Sequence, residues 1–285
     1  MKNFRLIIEY DGTNYHGWQR QAAEPTVQAE IEKALSAMTR SDITLIGAGR
    51  TDAGVHALGQ TAHFRCETRL DPEAILKGLN SLLPPDIAIC DCRLAPEDFH
   101  ARFAAQSKIY RYRILNRAAR AAVGRNYSWF IHRPLDVRAM QQAAHFIVGR
   151  HDFKAFESAG SPRAHTVRNV MAAEWIVERE QDLLTFQIEA DGFLRCMVRN
   201  IVGTLVAAGI GRIQPADVAA ILASRDRRRA GATAPPRGLG LVEVKYGSES
   251  VAFEVEARGN QWYRKPLEAG NRLIDHLHPM RENLP

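Results

Sequence analysis

Hydrophobic and polar positions divide the chain into two stretches that repeat one order of elements. Phe4–Tyr10 (FRLIIEY) alternates and is rich in β-branched and aromatic residues, which predicts a strand. From Val27 to Arg40 the apolar positions Val27, Ile31, Ala34, Leu35 and Met38 recur at helical spacing, with Pro25 and Thr26 at the entry. Short strands are expected at Ile43–Gly47 and Gly59–Cys66, around a glycine-rich loop. Asp71-Pro72 opens a second helix through Ile75, Leu76, Leu79 and Leu83, because aspartate caps a helix and proline is tolerated at its first position. Pro84-Pro85 stops it, and Ile87–Leu94 returns as a strand.

The second stretch follows the same plan. Strands are expected at Lys108–Leu115, Val170–Val177, Leu183–Ala190 and Leu239–Tyr246. A helix over Val137–Val148 is capped by Asp136 and closed by Gly149, and another spans about Leu194 to Ala208. Both stretches read β-α-β-β-α-β, so the fold class is α+β, with two ferredoxin-like units related by a pseudo-two-fold. Each unit is an antiparallel sheet with helices on one face, and the other face is open to a ligand, often RNA in such sheets. The expected domains are residues 1–105 and 106–247, followed by an extension over 248–285 to which no role is assigned. Long connections interrupt the plan at Asp11–Glu24, His151–Arg168 and Ser224–Gly238, and loops of that length are usually functional or disordered.

The formal net charge of +6 and pI near 9.3 favour polyanionic partners. The excess is concentrated where Arg225, Arg227, Arg228, Arg229 and Arg237 face the single acid Asp226. No apolar run approaches the roughly 20 residues that cross a bilayer. The N-terminus does not read as a signal peptide, and four scattered cysteines suggest reduced thiols in a cytoplasm. Cys90 and Cys92, two apart on a strand, are expected to share a face without a second pair to complete a zinc site. His16, His56, His63 and His100 lack the helical pairing of metal-site histidines.

The segment with most chemistry is Gly47-Ala48-Gly49-Arg50-Thr51-Asp52-Ala53-Gly54-Val55-His56. It lacks the Gly-Lys-Ser/Thr of a phosphate loop and the third glycine of a dinucleotide fingerprint. It offers one carboxylate, Asp52, beside one guanidinium, Arg50. Read alone, Asp52 is either a turn residue that accepts backbone N–H bonds, the commoner case, or a nucleophile kept ionised by the arginine as water leaves.

GAGRTDAGVHALGQTAHF resembles the signature of the tRNA pseudouridine synthase A family. EYDGTNYHGWQRQ, DFHARFAAQSKIYRYRI, GFLRCMVRNIVGTLVAAG and APPRGLGLVEV resemble further family segments in family order, over about Phe4–Tyr246. The resemblance implies a homodimeric, cofactor-free and metal-free isomerase that makes pseudouridine at positions 38, 39 and 40 of the tRNA anticodon stem-loop. It makes Asp52 the nucleophile, places Tyr110 on the target uracil and Arg199 on the Asp52 carboxylate, and sets Arg50 at phosphate or in the vacated base stack. Arg20, Arg102 and Lys108 would line the RNA groove, and His56 would position the loop or the substrate. Departures from the family pattern are Cys196, Gly240 and the loosely matching His151–Arg168. A non-catalytic RNA-binding protein would use the same basic surface with Asp52 as a turn residue. A metal-dependent phosphodiesterase built on Asp52 and His56 is the third reading.

Overall fold

A computed structural model describes residues 1–158, 160 and 165–247. The expected extension over 248–285 lies outside the described residues, as does part of the 151–168 connection. The first half contains β1 (Lys2–Tyr10), α1 (Val27–Thr39), β2 (Ile46–Gly47), β3 (His56–Cys66), α2 (Pro72–Leu82) and β4 (Ile87–Leu94). The second contains β5 (Ser107–Asn116), β6 (Trp129–Ile131), α3 (Val137–His145), β7 (Gly149–Asp152), β8 (Val167–Glu178), β9 (Leu183–Ala190), α4 (Met197–Gly209), α5 (Asp217–Ser224) and β10 (Leu239–Lys245).

Among the described residues the strands join one sheet, ordered β4-β1-β3-β10-β5-β9-β8-β7, with β2 also on β3 and β6 on β5. Within the first half the order β4-β1-β3-β2 is that of a ferredoxin-like unit. The second half repeats it as β10-β5-β9-β8. Most pairs are antiparallel, as the repeat predicts, but β10 runs parallel to β3, with Gly240 opposite His56 and Leu241 opposite Ala57. That pair fuses the two halves edge to edge. The added β6 is also parallel to its neighbour.

Local rules account for much of this. Alternation in β1 buries Phe4, Leu6 and Ile8, and Phe4 stacks on Phe64 of β3 with ring centroids 5.1 Å apart. Ile31 and Leu35 of α1 and Ile75 and Leu79 of α2 close the same core. Asp71 caps α2 through the Ala74 N–H at 2.7 Å, with Pro72 at the first position, and Asp136 caps α3 through the Ala139 N–H at 3.0 Å.

Three expectations are corrected and one unread helix is added. Residues 43–45 do not pair in the sheet. The Leu45 N–H donates to Glu32 Oε1 and its carbonyl accepts from Gln28 Nε2, both at 2.9 Å, so two buried polar side chains of α1 replace a neighbouring strand. Helix α3 stops at His145 because Phe146, Ile147 and Val148 tighten into i to i−3 bonds before Gly149 turns at φ +105°. Cys90 and Cys92 do not share a face: a bulge opposite Ile7 and Ile8 shifts the register, so Cys92 is buried while Cys90 Sγ lies 3.9 Å from Glu9 Oε2. Helix α5 precedes the arginine-rich connection; its short apolar run, Val218, Ile221 and Leu222, gives too weak a period to be read beforehand.

Gly59 of β3 lies so close to the carbonyl of Val242 that an added Cβ would collide with it. Gly59→Ala is therefore expected to cost about 1–3 kcal/mol by overpacking. Denaturant unfolding checks this, and an unchanged midpoint would mean that the seam between β3 and β10 has slack.

Candidate active site

Asp52 sits in the connection between β2 and β3, and its placement follows from how tightly that connection is wrapped. Gly17, at φ +90°, packs against it so that an added Cβ would lie 2.5 Å from the Thr51 carbonyl. An added Cβ at Gly12 would collide with the Val55 carbonyl. Trp18 N–H donates to Thr51 O at 3.2 Å and Gly54 N–H to Tyr15 O at 3.2 Å. Buried Tyr10 and Thr51 share a hydroxyl hydrogen bond of 2.8 Å, and Gln60 Nε2 holds the Gly49 carbonyl at 2.8 Å. The glycines of EYDGTNYHGWQRQ thus let one loop lie backbone to backbone on another.

From the second half, α4 brings Arg199. Its Nη1 donates to Asp52 Oδ2 at 3.2 Å, its Nε to Ala234 O at 2.8 Å, and its side chain is only 15% exposed. The pair is fixed in turn by what lies beneath it. Fully buried Asn200 donates to Phe156 O at 2.7 Å and accepts from Arg227 Nη2 at 2.9 Å and from Thr233 Oγ1 at 2.7 Å. Gly203 and Gly231 allow α4 and the following strap to touch. Arg225 pairs with Asp152 at 2.7 Å and Arg228 with Asp226 at 2.8 Å, while Arg237 Nε donates to Ser128 O at 3.2 Å. Arg227 is thus a half-buried support beside Arg199, while Arg225, Arg228, Arg229 and Arg237 remain exposed to solvent.

Tyr110 of β5 is 6% exposed and meets Phe193 edge-on at 5.0 Å. Burial, with Tyr10 and the Asp52 carboxylate nearby, pushes its phenol far above the ordinary range, so it is neutral at physiological pH. Tyr110, Tyr112 and Ile114 share the buried face of β5, and Tyr112 Oη donates to Pro235 O at 2.8 Å. The site therefore gathers on the helix-bearing side of the seam, not on the open sheet face expected to meet RNA. That open face is internally paired instead: Arg111 Nε donates to Gln187 at 2.8 Å, and Ser107 and Lys245 donate to Glu189 at 2.6 and 2.9 Å.

The remaining expected residues separate by position. Arg50 is exposed, two residues from Asp52. Lys108 is half-buried, with its Cε 3.4 Å from where a Gly49 Cβ would stand. Burial lowers its ammonium pKa, as do Arg102 and Arg168, against Asp191. Lys108, Arg102 and Arg168 thus form a basic rim beside the loop. Arg20 makes a 3.1 Å ion pair with buried Glu32 Oε2 that is not aligned as a hydrogen bond.

His56 is 5% exposed and joins three segments. Its Nε2 faces the carbonyls of Asn126 at 3.0 Å and Arg237 at 3.2 Å. Its Nδ1 faces both the Gly12 N–H at 3.1 Å and Asp11 Oδ1 at 3.0 Å.

Two residues in contact with expected site residues escaped sequence reasoning. Cys196 occupies the N-cap position of α4 at φ +57°, and its thiol lies 3.8 Å from Arg199 Nη1, the nitrogen that also holds Asp52. Desolvation first, and then the Asp52 charge, raises its pKa and keeps it a thiol. Asp11 is the other, and only the turn-forming Asp-Gly pair hinted at it.

A family model described as tRNA pseudouridine synthase matches residues 6–104 and 143–247. The tRNA pseudouridine synthase A of Thermoanaerobacter sp. (strain X514) is 46% identical over 246 residues, covering 86% of this chain and 100% of the relative. That of Acetivibrio thermocellus is 47% identical over 246 residues, with 86% and 100% covered. That of Myxococcus xanthus is 45% identical over 246 residues, with 86% and 92% covered.

Burial opposes ionisation of Asp11, but hydrogen bonds from His56, Thr13 and Tyr127 outweigh it and hold the carboxyl well below the usual range. A carboxyl depressed in the fold stabilises above its unfolded pKa of about 3.9, and that stability is lost as pH falls towards the folded value. Wild type is expected to lose its advantage over Asp11→Asn below about pH 4. Urea midpoints of the two proteins from pH 7 to pH 2 check this, and parallel profiles would refute it.

Proposed function

The chain belongs to the tRNA pseudouridine synthase family, and from that premise we propose that it isomerises uridine at positions 38, 39 and 40 of the tRNA anticodon stem-loop, with Asp52 as nucleophile. The observation that carries the reading is the ion pair between Asp52 and Arg199, made across the seam in a partly open site. A carboxylate that is to attack a sugar or base must stay ionised while water is displaced. A guanidinium on one oxygen supports that state.

The reaction breaks the N1–C1′ bond and joins C5 to C1′. One proton leaves C5, and one is gained at N1. Atoms and electrons balance within the nucleoside, so no group donor, redox partner or metal is required. Attack at C1′, proton removal at C2′ and addition at C6 all call on the same carboxylate. The uridine must leave its stack, at a cost of about a few kcal/mol. Tyr110 offsets part of this as a neutral aromatic wall, since base–aromatic stacking contributes about 1–3 kcal/mol per base. Arg50, exposed at the mouth, meets phosphate or the vacated stack, and Arg102 and Lys108 contact the backbone. Arg199 and His56 are positioning residues, and Arg20 serves the groove through the loop it anchors.

Residues 1–105 and 106–247 each supply half of this site, so neither half is active alone. The protein acts as a homodimer in the cytoplasm. Among the described residues no helix is long and apolar enough to cross a membrane.

Tritium release from tRNA labelled at C5 of uridine, in excess chelator, tests the reading. Release that disappears only when uridines 38, 39 and 40 are replaced by cytidine is the expected result. tRNA binding without release would make the protein a binding module, and chelator-sensitive strand cleavage would make it a phosphodiesterase.

A further inference from the structure

Phe103 is 76% exposed, unusual for so large an apolar side chain beside a polar rim. It is not a loose ring. His100 stacks on one face at a centroid distance of 4.2 Å and 30°. His100 is itself fixed, because its Nδ1 accepts the backbone N–H groups of Arg102 and Phe103, both at 3.2 Å. Behind it, His63 lies 4.7 Å away, anchored by the Ala101 N–H on its Nδ1 at 3.1 Å. The Arg102 guanidinium stands over the ring at 5.6 Å from its centroid, a cation–π contact that still leaves most of Phe103 exposed.

This held ring therefore projects into solvent beside the Arg102 guanidinium. Lys108, five residues further along the chain, reaches Gly49, three residues from Asp52. A largely exposed aromatic ring beside basic side chains is what single-stranded RNA recognition uses: the cations follow phosphate, and the ring takes a base without reading its identity.

We propose that Phe103 is a stacking platform for an unpaired base of the substrate RNA, held on the rim next to the nucleotide that enters the Asp52 site. The assignment rests on the tRNA reading above and adds a second point of contact to it. His100 acts as the backing plate, and Arg102 directs the adjacent phosphate. One fixed stack outside the catalytic pocket sets how far the strand is drawn in before a uridine everts.

The test measures tRNA affinity by fluorescence anisotropy, and pseudouridine formation under subsaturating and saturating tRNA. Phe103→Ala should weaken binding and lower kcat/KM by about tenfold, the scale of one base stack, with kcat at saturation little changed. Phe103→Trp should restore both. Val123→Ala, which removes another exposed apolar side chain, serves as the control and should leave both unchanged. Replacing the stacked nucleotide by an abasic one should cost wild type about the same factor and Phe103→Ala almost nothing. Wild-type turnover with Phe103→Ala indistinguishable from it would overturn the platform while leaving the activity standing. Phe103-dependent tRNA binding without any turnover would do the reverse.

Discussion

One ion pair organises this molecule. Asp52 comes from the first half and Arg199 from the second, and their 3.2 Å contact is the point at which the two halves become one site. A carboxylate only partly exposed needs a counter-charge, and here it comes from across a seam closed by the parallel pairing of β3 with β10. Glycines set the precision of that seam. Gly12 and Gly17 let the first loop press on the Asp52 loop, Gly59 lets β3 meet β10, and Gly203 with Gly231 seats α4, which carries the guanidinium.

The polar interior serves the same end. Gln28 and Glu32 take over the backbone bonds of Leu45, so the chain enters the Asp52 loop guided by side chains instead of a strand. Asn200, Arg227 and Thr233 do the equivalent beneath Arg199. Removing one member of such a buried network leaves the others unsatisfied, which is why these residues matter without touching substrate. His56 and Asp11 form a further such knot, binding the loop to two distant segments.

Much of the fold was legible in the sequence because it follows local rules. Leu183–Ala190 alternates cleanly and is a strand over those residues, and Asp71-Pro72 caps and opens α2. Other features depend on tertiary partners that no period encodes. The bulge that parts Cys90 from Cys92, the absence of pairing at 43–45 and the tightened end of α3 are of that kind. Asp52 stood out through its glycine-rich setting and through resemblance, yet the sequence did not show which arginines of the Ser224–Gly238 run were free. In that run Arg225, Arg228 and Arg237 hold Asp152, Asp226 and the Ser128 carbonyl yet stay exposed, while Arg227 is half-buried on Asn200. Cys196 could not have been placed beside Asp52 without knowing how α4 begins.

The central claim is that the negative charge on Asp52 performs chemistry and is not merely a turn contact. Single-turnover conversion of tRNA by Asp52→Asn, which keeps the shape and removes the charge, tests it most directly when affinity is measured in the same samples. The account predicts a rate loss of at least about a thousandfold with binding nearly intact. Conversion within a few fold of wild type would contradict it.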